Sequence, residues 1–166
     1  MDFLISHYFL LRGQLRRTAE FADMFVLDFP SEGAQNCRCW IFIFDNGKTN
    51  KTGKKQYLGC IRNRDFLLCA QGSLAQYLFH RFHVLGQQWP DFSSPKHWDR
   101  IKLLRGGDVR TPLDPTTQQK WIRERFNEIG FYSSKTTHSG RKSGAQWAEI
   151  AGVNEDEVRI DPWETF

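Results

Sequence analysis

The 166-residue sequence has no apolar run long enough to span a lipid bilayer. It also lacks the basic segment that precedes the apolar stretch of a secretory signal, since Asp2 stands there instead. Both absences argue against a membrane protein and against a secreted one. No internal repeat and no low-complexity segment is found, so we expect residues 1–166 to fold as one domain.

Cysteine is scarce and irregularly placed, at positions 37, 39, 60 and 69. Without an export signal, these thiols are expected to be reduced. Cys37 and Cys39 can be combined with Cys60, or with His80 and His83, into a hypothetical zinc site. However, a Cys-x-Cys pair lacks the usual spacing of zinc ligands, and each of these residues also fits a strand or helix core. We therefore expect no metal ion and no cofactor.

The composition supplies a core and a small excess of positive charge. Hydrophobic residues make up 40% of the chain and aromatic residues 14%, which is enough for a core at this length. Lys and Arg total 23 against 19 Asp and Glu, which gives a net charge of +4. This excess favours polyanionic partners only mildly, as many ordinary proteins share it.

Residues 39–44 and 56–61 are rich in aromatic and β-branched side chains and predict the two strands of a β-hairpin. The connection between them is basic and carries Lys48, Lys51, Lys54 and Lys55. Such a tip is compatible with a solvated turn and with an anion-binding surface. A further short strand is predicted at residues 25–29, closed by Pro30.

Helical spacing of apolar residues predicts helices over much of the remaining chain. They cover residues 2–11, 15–24, 72–85, 115–129 and 138–151. Asp114 is the expected cap of the fourth helix, Pro115 its first residue and Gly130 its end. Its expected buried face consists of Trp121, Ile122, Phe126 and Ile129. The predicted fold class is a mainly helical α+β domain with a small antiparallel sheet.

The last predicted helix has an almost bare face, because Gly140, Gly144 and Ala148 recur four residues apart. Each helical glycine costs about 1 kcal/mol relative to alanine, so this spacing indicates a closely packed partner. A neighbouring helix and a nucleic-acid backbone are the two candidates. At the start of the same helix, His138 and Arg141 share one face and can reach a single phosphate over its first turn.

Several segments together resemble a known family. They are Arg12-Gly13, Arg16 to Glu20, Asp45 to Thr49, Cys69 to Leu78, Pro90 to Ser93, Gln118 to Gly130 and Lys135 to Val153. The chain resembles the fungal domain found as the second domain of the centromere-DNA-binding kinetochore subunit and in Crypton-type transposon proteins. The most specific part is Ser134 to Ala145. That family is in turn similar to the catalytic domain of tyrosine recombinases, which implies the same fold here.

In tyrosine recombinases, two arginines bind the non-bridging oxygens of the scissile phosphate and a histidine donates beside them. The resemblance implies that Arg17 is the first arginine and Glu20 the acid three residues on. It implies that His138 is the histidine and Arg141 the second arginine. From the residues alone, Arg17 fits an ordinary surface position equally well, and Glu20 fits a salt bridge.

A hairpin lysine of these enzymes protonates the leaving 5′ oxygen. Lys48 is its match here, with Lys51 as the fallback, and Trp163 falls where the superfamily has a histidine or tryptophan donor. The expected DNA-binding residues are Arg17, Lys48, Lys51, Lys54, His138, Arg141, Lys142 and Trp163.

The tyrosine nucleophile of these enzymes lies a short way beyond the position of Trp163, and the sequence ends at Phe166. All four tyrosines present precede His138. We therefore expect double-stranded DNA binding in the nucleus without strand cleavage, as a homodimer or within a larger nucleoprotein complex. The alternatives are a remnant or fragment of a recombinase or transposase, and a domain retained for protein contacts through Trp89, Phe92 and Trp98.

Overall fold

The computed structural model describes residues 1–32, 37–45 and 55–154. Its helices are α1 (Asp2–Tyr8), α2 (Gly13–Thr18), α3 (Ala70–Phe79), α4 (Pro95–Trp98), α5 (Pro115–Glu128) and α6 (Ser139–Ile150). Its strands are β1 (Met24–Phe29), β2 (Cys37–Phe44) and β3 (Gln56–Ile61). Short 3₁₀ turns lie at Phe21–Asp23, Phe66–Leu68 and Thr136–His138. About 48% of the described residues are helical, and with the small antiparallel sheet they confirm the predicted α+β class. Within the described ranges, no helix combines the length and apolar character needed to cross a membrane.

The three strands form an antiparallel sheet in the order β1-β2-β3. Trp40 of β2 pairs with Val26 on one side and with Cys60 on the other. The predicted pairing of residues 39–44 with 56–61 is therefore confirmed, and so is the predicted strand at 25–29. The hairpin tip, residues 46–54, lies outside the described residues.

The core lies against one face of β2. Trp40, Phe42 and Phe44, at alternate positions of β2, belong to this core, while Cys39 and Ile41 are buried on the opposite face. Phe9, directly after α1, meets both Trp40 and Phe42 edge to face, with ring centroids 5.1 Å apart in each pair. The residue after α1 is thus packed against the sheet by aromatic contacts.

The helix expected at residues 15–24 is shorter than predicted. α2 ends at Thr18, and Ala19 adopts an extended conformation. The Ala19 carbonyl accepts from the Leu103 amide at 2.8 Å, and the Phe21 amide donates to the Ile101 carbonyl at 2.9 Å. Pairing with this distant segment competes successfully with the local helical pattern.

The helix expected at residues 72–85 also changes form before its end. α3 is followed by a single π-helical turn at His80–Val84, and the Leu85 amide donates to the His80 carbonyl at 2.9 Å. Arg81 is buried within this wider turn, and its Nη1 donates to the carbonyls of Lys102 and Leu103.

The start and the end of α5 are confirmed as predicted. The Asp114 carboxylate accepts from the amides at the helix start, and Gly130 has a φ of +67° just beyond the end. The predicted buried face is only half right, since Trp121 and Ile129 are 53% and 76% exposed. The buried residues recur strictly every four positions, and they are Gln118, Ile122 and Phe126.

The bare face of α6 packs against α1, so the partner of its glycines is a neighbouring helix, which was the first of the two candidates. A Cβ on Gly140 would lie 2.7 Å from the Ser6 Cβ, and a Cβ on Gly144 would overlap the His7 carbonyl oxygen. Neither position has room for a side chain. The two glycines therefore fix α6, and the residues at its start, relative to α1.

Candidate functional site

Arg16 is 1% exposed and joins α1, α2 and the turn that precedes α6. Its Nε donates to Asp2 Oδ1 at 2.6 Å, and its Nη1 donates to Ser6 Oγ at 2.6 Å and to the Leu11 carbonyl at 2.7 Å. Its Nη2 lies 3.3 Å from the Thr137 carbonyl, to which it donates. The carboxylate of Asp2 balances the buried charge.

Arg17, next in sequence, is half-buried and points to another partner. Its Nη1 donates to Gln118 Oε1 at 2.7 Å, and Gln118 Nε2 donates to Asp2 Oδ2 at 2.9 Å. Burial, and next the charge of Arg16, lower the pKa of Arg17, yet an arginine remains protonated at neutral pH. Arg17 is therefore a fixed positive charge at this junction.

α2, α5 and the turn that precedes α6 meet around Gly13, the first residue of α2. A Cβ on this glycine would lie 3.1 Å from Arg17 Nη1, 3.3 Å from Gln118 Oε1 and 3.6 Å from Thr137 Cβ. The absence of a side chain at Gly13 lets these groups approach one another. The structure thus brings Arg17 next to the turn that ends at His138.

His138 closes that 3₁₀ turn and is exposed, and it precedes α6 without a side-chain capping hydrogen bond. Arg141 lies in the first turn of α6 and is half-buried, whereas the neighbouring Lys142 is exposed. Ser139 Oγ donates to the Lys135 carbonyl at 3.1 Å, which ties the helix start to the preceding loop. Two cationic residues and a histidine thus lie at the same end of α6.

The remaining expected DNA-binding residues, Lys48, Lys51, Lys54 and Trp163, lie outside the described residues. Their closeness to Arg17 stays a prediction. Glu20 forms an ion pair with Lys102, whose Nζ is 2.5 Å from Glu20 Oε1. This is the salt bridge that the sequence offered as the alternative for Glu20. The side chain that accepts a hydrogen bond from Arg17 is that of Gln118.

Sequence analysis did not identify Asp2, Arg16 or Gln118. One signal was present for Gln118, because it stands four residues before Ile122 and eight before Phe126 on the face that proves to be buried. A glutamine on an otherwise apolar helix face indicates a buried hydrogen-bond partner. Nothing local reveals that partner, since Arg17 is 101 positions away.

The hydroxyl groups of two tyrosines are engaged in the scaffold. Tyr8 accepts from Asn63 Nδ2 at 2.8 Å, and Tyr77 donates to the Leu103 carbonyl at 2.8 Å. Tyr132 differs, since it is 80% exposed. With Phe126, Phe131 and other residues, it lines a pocket of about 260 Å³.

The cysteines are free thiols, half-buried at Cys37 and buried at the other three positions. Across residues 1–32, 37–45 and 55–154, no group of three or more His, Cys, Asp or Glu side chains is arranged to hold a metal ion.

Fold and site together define an α+β domain in which α1, α2, α5 and the turn that precedes α6 meet at one buried polar junction. The sequence matches, over residues 1–162, the family described as centromere DNA-binding protein complex CBF3 subunit, domain 2. The chain belongs to this family, which confirms the resemblance to the second domain of the centromere-DNA-binding subunit. No curated protein shows significant similarity to the chain.

Proposed function

We propose that the chain binds double-stranded DNA through its phosphate groups and does not cleave it. The family is described by its membership in a centromere DNA-binding complex, which supports a DNA ligand. The observation that carries the proposal is the junction at Gly13, where Arg17 lies beside the turn leading to His138 and Arg141.

The proposed surface resembles the phosphate clamp of tyrosine recombinases. Arg17 comes from one element, and His138, Arg141 and Lys142 come from another, so a phosphate between them would be contacted from two sides. Guanidinium groups suit this task because their planar N–H pairs match two phosphate oxygens. We propose that Lys48, Lys51 and Lys54 with Trp163 extend the same surface.

The absence of cleavage is part of the proposal. Phosphate binding without an activated nucleophile gives affinity but no strand transfer. The scaffold hydrogen bonds of Tyr8 and Tyr77 support a structural role for those two tyrosines.

The alternative is a recombinase or transposase remnant whose tyrosine is supplied by a longer chain or by a partner. Incubation with a nicked suicide substrate should give no covalent protein–DNA adduct, also when the chain is extended at its C-terminus. An adduct would overturn the non-catalytic proposal. If one formed with the chain itself, Tyr132→Phe would test whether the exposed Tyr132 is its origin.

We further propose that the chain acts in the nucleus, inside a nucleoprotein complex, since the family is named for a complex subunit. The alternative assembly is a homodimer in which each copy binds DNA through the proposed phosphate-binding surface. Trp89 and Phe92 are exposed aromatic residues, and Trp89 stacks on Phe82 at 4.2 Å. Such residues suit contact with a partner protein, which a footprint over residues 87–99 would reveal.

A gel-shift series with duplex DNA tests the proposed function. Because each neutralised phosphate releases counterions, affinity should fall steeply between roughly 50 and 200 mM salt. Arg141→Ala should weaken binding to all sequences alike and lower the slope of log affinity against log salt by about 1. An affinity that does not change with salt, or no complex at low salt, would show the proposal to be wrong.

A further inference from the structure

We propose that Gln118 is a positioning residue, which aims the guanidinium of Arg17 at the DNA phosphate without neutralising its charge. The inference rests on the proposed DNA-binding function. Gln118 lies on α5, far from Arg17 in sequence, and both ends of its amide are hydrogen-bonded. The resembling segments include the helix that begins at Gln118, but the resemblance assigns no role to this glutamine.

The orientation of the Gln118 amide follows from the chemistry of its two partners. The carboxylate of Asp2 can only accept a hydrogen bond, so the NH₂ group of the amide must face it. The guanidinium of Arg17 can only donate, so the amide oxygen must face that side. A flipped amide would lose both bonds at a position that is 1% exposed, where lost hydrogen bonds are costly.

Asp2 is itself held in place by Arg16, through contacts of 2.6 Å from Nε and 3.4 Å from Nη2. The groups therefore form a continuous series from Arg16 through Asp2 and Gln118 to Arg17. Each member limits the movement of the next, so the Arg17 side chain is ordered before any ligand binds. Such preorganisation lowers the entropy cost of binding.

The neutrality of glutamine matters at this position. A carboxylate in contact with Arg17 would form an internal ion pair, and the guanidinium would then offer less charge to a phosphate. The amide oxygen holds Nη1 at 2.7 Å but leaves the net charge of Arg17 in place. Among the described residues, Gln118 is the acceptor of the hydrogen bond that Arg17 donates. We infer that the Nε and Nη2 groups of Arg17 then bind two oxygens of a DNA phosphate.

Gln118→Met is the direct test, because methionine keeps the length of the side chain and removes both hydrogen bonds. The matched control is Gln119→Met, at the exposed next position of the same helix. We expect Gln118→Met to weaken duplex DNA binding about fivefold, the order of one hydrogen bond, and the control to leave it unchanged.

The DNA affinity of a double variant distinguishes a positioning role of Gln118 from a merely structural one. If Gln118 acts through Arg17, then adding Gln118→Met to Arg17→Ala causes no further loss of DNA affinity. If Gln118→Met lowers DNA affinity equally in the unchanged chain and in Arg17→Ala, the positioning role is wrong. The proposed DNA-binding function would still stand. If Arg17→Ala itself binds DNA as the unchanged chain does, the positioning role is also wrong. Absence of salt-dependent binding by the unchanged chain would overturn the proposed function as well.

A measurement on the unchanged protein keeps the test independent of how well Gln118→Met folds. Side-chain NMR of the unchanged protein should show the Arg17 Nε–H as rigid as the backbone, and mobility typical of exposed arginines would contradict the proposal.

Discussion

Two arginines, Arg16 and Arg81, are each 1% exposed, but the regions around them are built differently. Arg16 contacts a carboxylate, that of Asp2, together with a hydroxyl and two carbonyl groups. The region around it joins α1, α2, α5 and the turn before α6. Its charge is balanced within the junction, beside Arg17.

Arg81 is held by neutral groups. It donates to Gln87 Oε1 at 2.6 Å and to two backbone carbonyls, and its guanidinium carbon lies 5.1 Å from the ring centroid of Phe21 and 5.6 Å from that of Phe82. Burial lowers the pKa of Arg81, and its Nη2 has no hydrogen-bond partner among the described residues. This region joins α3 to the segment around Leu103.

The difference indicates two uses of a buried arginine. The Arg81 guanidinium donates to backbone carbonyls of an irregular segment, in place of the amide groups that would bind them in a helix or sheet. Around Arg16, the same group orders a series of polar side chains that ends at a half-buried cation. We therefore expect changes near Arg16 to affect both stability and DNA binding, and changes near Arg81 to affect stability alone.

Arg16→Met should give the largest effect and test this difference directly. It leaves Asp2 without its ion-pair partner and should lower the free energy of unfolding by about 4 kcal/mol, as measured in urea. Arg81→Met should cost about 2 kcal/mol, because only neutral acceptors lose a partner. DNA affinity, measured where each variant is folded, should fall for Arg16→Met only. Equal losses of affinity would erase the distinction between the two regions.

Gly144→Ala should come next, since the added Cβ would overlap the His7 carbonyl and push α6 away from α1. We expect a loss of about 2–3 kcal/mol in unfolding free energy. Gly72→Ala is the control in the other region, where a Cβ would lie at an ordinary 3.5 Å from Cys69 Cβ. That variant should be neutral or slightly stabilising, because alanine favours helix. Similar destabilisation of both variants would contradict the close approach of α6 and α1.

The smallest expected effect is the pH dependence of stability that Cys60, a residue of β3, contributes. Burial raises the pKa of the Cys60 thiol from 9.0 to about 12. Below about pH 9 the thiol is neutral in both the folded and the unfolded chain, and its contribution to stability is constant. As the pH rises from 9 toward 12, the unfolded chain ionises first, so stability should fall by up to about 1 kcal/mol between pH 9 and 10. Cys60→Ala should remove this part of the pH dependence, and identical profiles would contradict it.

Features with a local signal could be predicted from the sequence. Segments rich in aromatic and β-branched residues predicted the strands of the hairpin, and the Asp114-Pro115 pair predicted the start of α5. The spacing of Gly140 and Gly144 indicated a close partner. These patterns depend on neighbours within a few residues. Much of the α+β architecture can therefore be predicted from short-range patterns in the sequence.

The polar junction could not be predicted because its bonds connect distant residues. Arg16 reaches Thr137 over 121 positions, and Gln118 reaches Asp2 over 116. The early end of α2 has the same cause, since Ala19 pairs with Leu103. For the candidate site, the resemblance singled out Arg17, but only the fold shows that Gln118 accepts a hydrogen bond from it.

The salt dependence of DNA binding by Arg17→Ala tests the central claim most directly. Anisotropy titrations of labelled duplex DNA would be compared for the unchanged chain, for Arg17→Ala and for Arg100→Ala, an exposed arginine after α4. If Arg17 contacts a phosphate, Arg17→Ala lowers the slope of log affinity against log salt by about 1, and Arg100→Ala leaves it unchanged. An Arg17→Ala slope equal to that of the unchanged chain would contradict the account.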